Sequence, residues 1–161
     1  MIVVSDTGPL IALAKVDRLN VLQALFDEVC IPLAVHRELF AKLGPESIRL
    51  EDALQSFLKV APSPTISSAV AKATSRLHPG EREAIALAFE RKALLLSDDQ
   101  MGRSAARRLG LAVTGVVGVL LRAKEAGLLE TVRPLLVEMR QRGYWLSDEI
   151  LNLAVRLAGE S

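Results

Sequence analysis

Ile2-Val3-Val4-Ser5-Asp6-Thr7-Gly8-Pro9-Leu10-Ile11-Ala12-Leu13 is the stretch on which the fold turns. Ile2-Val3-Val4 is a short β-branched run and reads as a buried strand that ends at Ser5-Asp6. Thr7-Gly8-Pro9 then turns the chain, and Pro9 suits the first position of a helix over residues 10–14. A strand that meets an acid and becomes a helix is the unit of a parallel α/β sheet. Three further acidic points sit where the sequence makes the same change: Glu38, Glu81 and the pair Asp98-Asp99.

Working outward, a second helix is expected over residues 19–26 and a strand at Val29-Cys30-Ile31, after which Pro32 opens a helix through Phe40. The Gly44-Pro45 break precedes a short helix and an apolar strand over residues 57–61. Pro62-Ser63-Pro64 is a loop, followed by a helix over residues 67–75. His78-Pro79-Gly80 starts another, in which Ala84, Ile85, Leu87 and Ala88 recur at helical spacing through Arg91. Leu94-Leu95-Leu96 is a buried strand, residues 99–109 a helix and residues 111–113 a last strand. Beyond Gly115 come three more helices with breaks near Gly127 and Gly143. Ser147 is placed to cap the final one, with Asp148 and Glu149 in its first turn.

This alternation predicts a three-layer α/β/α fold with a central parallel sheet of about five strands and extra C-terminal helices. One domain over residues 1–161 is expected, with 130–161 as a C-terminal helical extension. The chain's 161 residues, half of them hydrophobic, suffice for one packed domain. Aromatics are scarce at 4%, which disfavours an aromatic-rich β-sandwich. A net charge of +1 excludes a histone-like polycation, so a nucleic-acid site would have to be local. Cys30 is the only cysteine and sits in an apolar run, so it reads as a buried, reduced, structural thiol. No secretory pattern and no apolar run near the ~20 residues of a bilayer span are visible, so a soluble cytoplasmic protein with no membrane partner is expected.

In open α/β sheets ligands bind outside the carboxyl ends of the strands. Asp6 and Asp98-Asp99 follow strands, and Glu81 lies in the first turn of its helix. Glu38 is about six residues into its own, or roughly 9 Å at 1.5 Å per residue. Carboxylates converging there would repel one another, and a divalent cation would remove that penalty. Oxygen-only ligands select Mg²⁺ or Mn²⁺ over zinc, and His36 and His78 are solitary. Each acid alone also has an ordinary explanation as a helix cap or dipole partner. Glu83 is about 200° around the helix from Glu81, so only one should face the pocket, and Glu81 is the choice. Arg103, Arg107 and Arg108 follow Asp99 on its helix, and Arg103 and Arg107 share a face as candidate phosphate contacts. Their alternative is a solvated helix face.

Residues 3–13, 31–39, 80–88 and 95–99, the last followed by Gly110-Leu111 and Gly115, resemble the successive blocks of a PIN domain, in order and over nearly the whole chain. The C-terminal half, with Leu120-Leu121-Arg122-Ala123-Lys124, Arg133-Pro134-Leu135-Leu136 and Trp145-Leu146-Ser147-Asp148, is similar to a prokaryotic subfamily of VapC-like toxin relatives. The resemblance implies an Mg²⁺- or Mn²⁺-dependent endoribonuclease with catalytic Asp6, Glu38, Glu81 and Asp99. It implies metal-ligating roles for Asp6, Glu38, Glu81 and Asp99, with Asp98 assisting or substituting; Arg103, Arg107 and Thr7 are the candidate substrate contacts. Hydrolysis of RNA by in-line attack of an activated water, a small antitoxin partner and a homodimer are further implications. One or two ions would serve. PIN domains often carry a hydroxyl after the glycine of the fourth block, whereas Val116 follows Gly115 here. That role would fall to Thr114 or Thr7, or be missing.

Asp6-Thr7-Gly8 matches the triplet of aspartic proteases, but those are β-rich. A phosphoacceptor receiver domain would want an acidic pair after its first strand, where Asp6 stands alone. A weakly active or inactive PIN scaffold serving protein binding or dimerisation is the serious alternative. Its surface would come from Leu135, Leu136, Met139 and Tyr144-Trp145-Leu146, which otherwise belong to the core.

Overall fold

A computed structural model describes residues 1–160; Ser161, the last residue of the expected extension, lies outside them. The strands are β1 (Ile2–Ser5), β2 (Glu28–Ile31), β3 (Leu58–Val60), β4 (Leu94–Leu96) and β5 (Val113–Thr114). Between them run α1 (Thr7–Lys15), α2 (Asn20–Leu25), α3 (Leu33–Leu39), α4 (Ser47–Leu54), α5 (Ser68–Ala73), α6 (Pro79–Arg91) and α7 (Gln100–Arg108). α8 (Val116–Glu125), α9 (Arg133–Gln141) and α10 (Asp148–Leu157) follow the last strand. This is the expected three-layer α/β/α architecture with added C-terminal helices.

All pairings are parallel, and the strands lie in the order β3-β2-β1-β4-β5. Parallel strands flanked by helices must be apolar on both faces, which is why Val3, Val4, Leu95 and Leu96 are buried. The chain builds outward from β1 to β3, then crosses back and continues from β4 on the other side. β1 and β4 are therefore neighbours whose connections depart in opposite directions. That is the topological switch point, where a crevice opens at the carboxyl ends of the strands.

The last strand is shifted from the expected residues 111–113 to Val113–Thr114. The cause is the end of α7. Gly110 takes φ +81° and the Leu111 amide donates back to the Ala106 carbonyl, so Leu111 still belongs to the helix cap. Only then can Val113 and Thr114 pair with Leu95 and Leu96. Cys30 is buried and free, with Sγ 3.7 Å from the Val3 carbonyl oxygen, and burial pushes its thiol pKa up.

The C-terminal helices share the core of the sheet. Leu135, Leu136 and Met139 of α9, with Leu146, Leu151 and Val155, are buried in one cluster with Val3 and Leu10. The interaction surface considered for Leu135, Leu136, Met139 and Leu146 is thus replaced by packing. Glu160 fastens this region from its far end, accepting from the Val132 and Arg133 amides and from Lys124 Nζ. Truncating Leu136 to Ala should cost about 2–5 kcal/mol. It should do so in a single urea transition, because α9 packs into the common core. A separate early transition of the C-terminal helices, with the sheet unaffected, would contradict that packing.

Candidate active site

The crevice at the switch point is a cleft of about 620 Å³ lined by Asp6, Gly8, Pro9, Glu38, His78, Pro79, Glu81, Asp98, Asp99, Tyr144 and Trp145. Its lining holds five carboxylic acids and no lysine or arginine. Each acid arrives for a local structural reason.

Asp6 caps α1. It is 7% exposed; Oδ1 accepts from the Thr7 amide at 2.7 Å and Oδ2 from Ser97 Oγ at 3.2 Å. Asp99 caps α7, with Oδ2 accepting from the Gly102 amide at 2.6 Å. Ser97 joins the two, since its Oγ also accepts from the Asp99 amide at 3.2 Å. Glu81 stands in the first turn of α6. The positive ends of α1, α6 and α7 therefore converge on the acids and offset part of their charge.

Glu38 is the sixth residue of α3 and reaches the rim because α3 packs on α6. Its Oε2 accepts from Thr7 Oγ1 at 2.7 Å and its Oε1 from the Gly80 amide at 3.2 Å. Gly80 is required by that approach, as a Cβ at this position would run into the Glu38 carboxylate. Glu83 points elsewhere, toward the Ala34 amide at the start of α3. Glu81 is the one in the cleft.

Asp98 is placed differently from Asp99. Its Oδ1 accepts from the Val116 amide at 3.0 Å and its Oδ2 from Tyr144 Oη at 2.5 Å. It ties the β4–α7 junction to the start of α8 and to the loop after α9. The residue keeps solvent contact, but its carboxylate is closely packed; that burial raises its pKa against those hydrogen bonds. Asp98 also accounts for Val116. The valine side chain is buried in the core while its amide serves Asp98. Thr114 Oγ1 lies against Gly118, where a Cβ would collide with it, and Thr114 is absent from the cleft lining. Of the two threonines, Thr7 is the one whose hydroxyl touches an acid of the site, Glu38.

The expected arginines divide. Arg103 is drawn back to the rim, donating to the Ser97 carbonyl at 2.9 Å beside Asp98 and Gly115. Arg107 is exposed. Arg108 instead lines a second cavity of about 270 Å³ with Lys72 and Arg76, between α5 and α7. Sequence reasoning missed Ser97, Tyr144 and Trp145 as parts of the site. The Ser97-Asp98 step after a buried strand was a signal for the first, but nothing in the chain marks the return of residue 144 to residue 98. His36 packs on Phe40 away from the cleft, and His78 sits on its rim.

The electrostatic consequence is strain between charges. Burial first, then the charges of Glu38 and Asp99, push the Asp6 pKa up to about 6 against its two hydrogen bonds. Burial again, followed by a hydrogen bond with Asp99 and the Asp99 and Asp6 charges, raises Glu81 to about 8. Among the described residues no three His, Cys, Asp or Glu side chains are gathered tightly enough to hold a metal ion as they stand. In kind, however, the set fits one. Asp6, Glu38, Glu81 and Asp99 offer hard oxygen donors, and the retained protons mark a deficit of positive charge.

A buried parallel sheet with an acid cleft at its switch point is the build of a PIN-type protein. A family model described as "DUF3368: PIN domain" matches residues 2–160, and the chain belongs to that family. Among solved structures it is similar to a PilT N-terminus domain protein, SSO1118, from the hyperthermophilic archaeon Sulfolobus solfataricus P2. The two share 20% identity at a TM-score of 0.52, over 82% of this chain and 97% of the other, a likeness of fold. No curated protein matches the chain.

The raised carboxyl pKa values make metal-free stability depend on pH in a stated direction. Asp6 titrates near 3.8 unfolded and near 6 folded, and Glu81 near 4.5 and near 8. Between those values the folded state holds more protons than the unfolded one, so stability falls as pH rises. In EDTA the urea midpoint should fall from pH 4 toward pH 8, and Asp6→Asn should flatten the part between 4 and 6. A midpoint that rises over this range, or a slope untouched by the substitution, would refute the assignment.

Proposed function

We propose that this chain is a divalent-metal-dependent endoribonuclease of toxin-like type. The observation that carries the reading is the crowding of Asp6, Glu38, Glu81 and Asp99 in a cleft without lysine or arginine. Carboxylates driven together at the cost of keeping protons are explained by a cation that replaces those protons. RNA as the substrate follows from the resemblance to VapC-like relatives.

Asp6, Glu81 and Asp99 would hold the ion, and Mg²⁺ or Mn²⁺ would supply charge for the scissile phosphate and lower the pKa of the attacking water. Ser97 fixes Asp6 relative to Asp99, and Thr7 and Gly80 fix Glu38. Asp98 is a positioning residue in this reading, because both its oxygens already serve Val116 and Tyr144. Arg103 braces the same junction. Phosphates beyond the cleft would meet Lys72, Arg76 and Arg108, whose cavity is lined by Leu77 and Met101, close in the chain to His78 and Asp99 of the cleft.

A second reading has one observation in its favour. Ile150, Leu153 and Leu157 are exposed on α10 at a spacing that puts them on one helical face. An antitoxin chain or a second copy of this one would cover such a stripe, and a weakly active scaffold would keep only that role. Among the described residues no helix is long and apolar enough to cross a membrane.

The experiment is cleavage of a panel of single-stranded and structured RNAs and matched DNAs with Mg²⁺ or Mn²⁺. Cutting should vanish in EDTA and fall roughly 100-fold or more in Asp6→Asn and in Asp99→Asn, which keep the fold. Cutting retained by both variants would sink the nuclease assignment. An inert, folded wild-type protein would favour the binding scaffold.

A further inference from the structure

We propose that Trp145 is a stacking platform for an unpaired nucleobase of the strand whose backbone enters the acid cleft. The inference rests on the nuclease reading above and adds the group that grips a base.

Trp145 is the only tryptophan of the chain and is 79% exposed, yet it lines the same cleft as Asp6, Glu38, Glu81 and Asp99. Its outward position is built, because the backbone on both sides is held. Gly143 takes φ +97° at the end of α9, and the Tyr144 amide donates to the Met139 carbonyl at 2.9 Å. Tyr144 Oη is bonded to Asp98, Leu146 is buried in the core, and Ser147 Oγ caps α10 through the Ile150 amide at 3.1 Å. With 144, 146 and 147 fixed, the indole projects from an anchored strap.

The choice of occupant follows from what surrounds the ring. The cleft lining carries no lysine or arginine, and Arg103 beside Asp98 is already bonded to the Ser97 carbonyl, so these walls offer little cationic grip on a polyanion's backbone. A grip that does not depend on charge is needed, and an aromatic face supplies it to any base. Bases of a duplex already stack on one another and present only edges, so the ring would select an unpaired one. An apolar protein surface pressed on the indole would have to dehydrate the neighbouring carboxylates, which is costly. A flat base covers the ring and leaves those acids in water.

Because Trp145 is the sole tryptophan, intrinsic fluorescence reports it alone. The test is titration of the full chain, with Ca²⁺ and again with EDTA, by an unstructured eight-nucleotide RNA and by a duplex of the same sequence. Saturable quenching by the single strand and little by the duplex is expected. By anisotropy of a labelled RNA, since the variants lack the fluorescent reporter, Trp145→Ala should raise the single-strand Kd roughly 5- to 150-fold, with Trp145→Phe restoring much of the affinity and the melting temperature unchanged. In cleavage, KM should rise more than kcat falls in the Ala variant. Equal quenching by the duplex, no quenching where anisotropy shows the RNA bound, or unchanged affinity in Trp145→Ala would overturn the proposal. Quenching without metal-dependent cutting would keep the base site and remove the nuclease. Cutting by Trp145→Ala at the wild-type KM would do the reverse.

Discussion

Burial of several carboxylates together at the carboxyl edge of β1 and β4 is the constraint around which this protein is arranged. Asp6 and Glu81 keep protons well above the usual carboxylate range because burial and their acidic neighbours disfavour the charged form. A fold gains nothing from that on stability grounds alone. The surrounding structure nevertheless enforces it. Ser97 links Asp6 to Asp99, Thr7 and Gly80 hold Glu38 in reach, and helix starts deliver Glu81 and Asp99. The three helix N-termini soften the repulsion without ending it. The small cation of the proposed function would relieve what remains.

The architecture explains why these residues meet although they are spread from residue 6 to residue 99. A parallel sheet ordered β3-β2-β1-β4-β5 makes β1 central and sets β4 beside it, so Asp6 and Asp99 are neighbours by topology. α3 and α6 pack together on one side and bring Glu38 and Glu81 to the same edge. The C-terminal helices then close the cleft from the third side, where Tyr144 bonds Asp98 and Trp145 stands on the rim. This last wall is joined to the rest by buried apolar contacts from Leu136, Met139 and Leu146.

Much of this was legible in the chain. Short apolar runs such as Val29-Cys30-Ile31 and Leu94-Leu95-Leu96, separated by helix-length segments, carry the parallel sheet directly. Acids just after strands carry the site, because topology converts chain position into spatial position at a strand end. Where the reading fell short, the cause was tertiary. The last strand moved to Val113–Thr114 because the α7 cap consumed Leu111. Arg103 turned to the Ser97 carbonyl, and Arg108 went to a cavity with Lys72 and Arg76. Helical spacing tells which arginines share a face, but not which neighbour takes them. Tyr144 was invisible as a site residue, since a contact spanning residues 98 to 144 leaves no periodic trace. The apolar C-terminal residues were ambiguous for the same reason, and packing divided them into core and a stripe on α10.

The most direct test of the proposed cation site is calorimetric titration of the metal-free protein with Mn²⁺ near pH 7, in two buffers of different ionisation enthalpy. Saturable binding that is lost in Asp99→Asn and releases protons is expected, because the raised pKa of Glu81 leaves it protonated at that pH for a cation to displace the proton. Absence of saturable binding by the folded protein, or binding indifferent to Asp99, would contradict it.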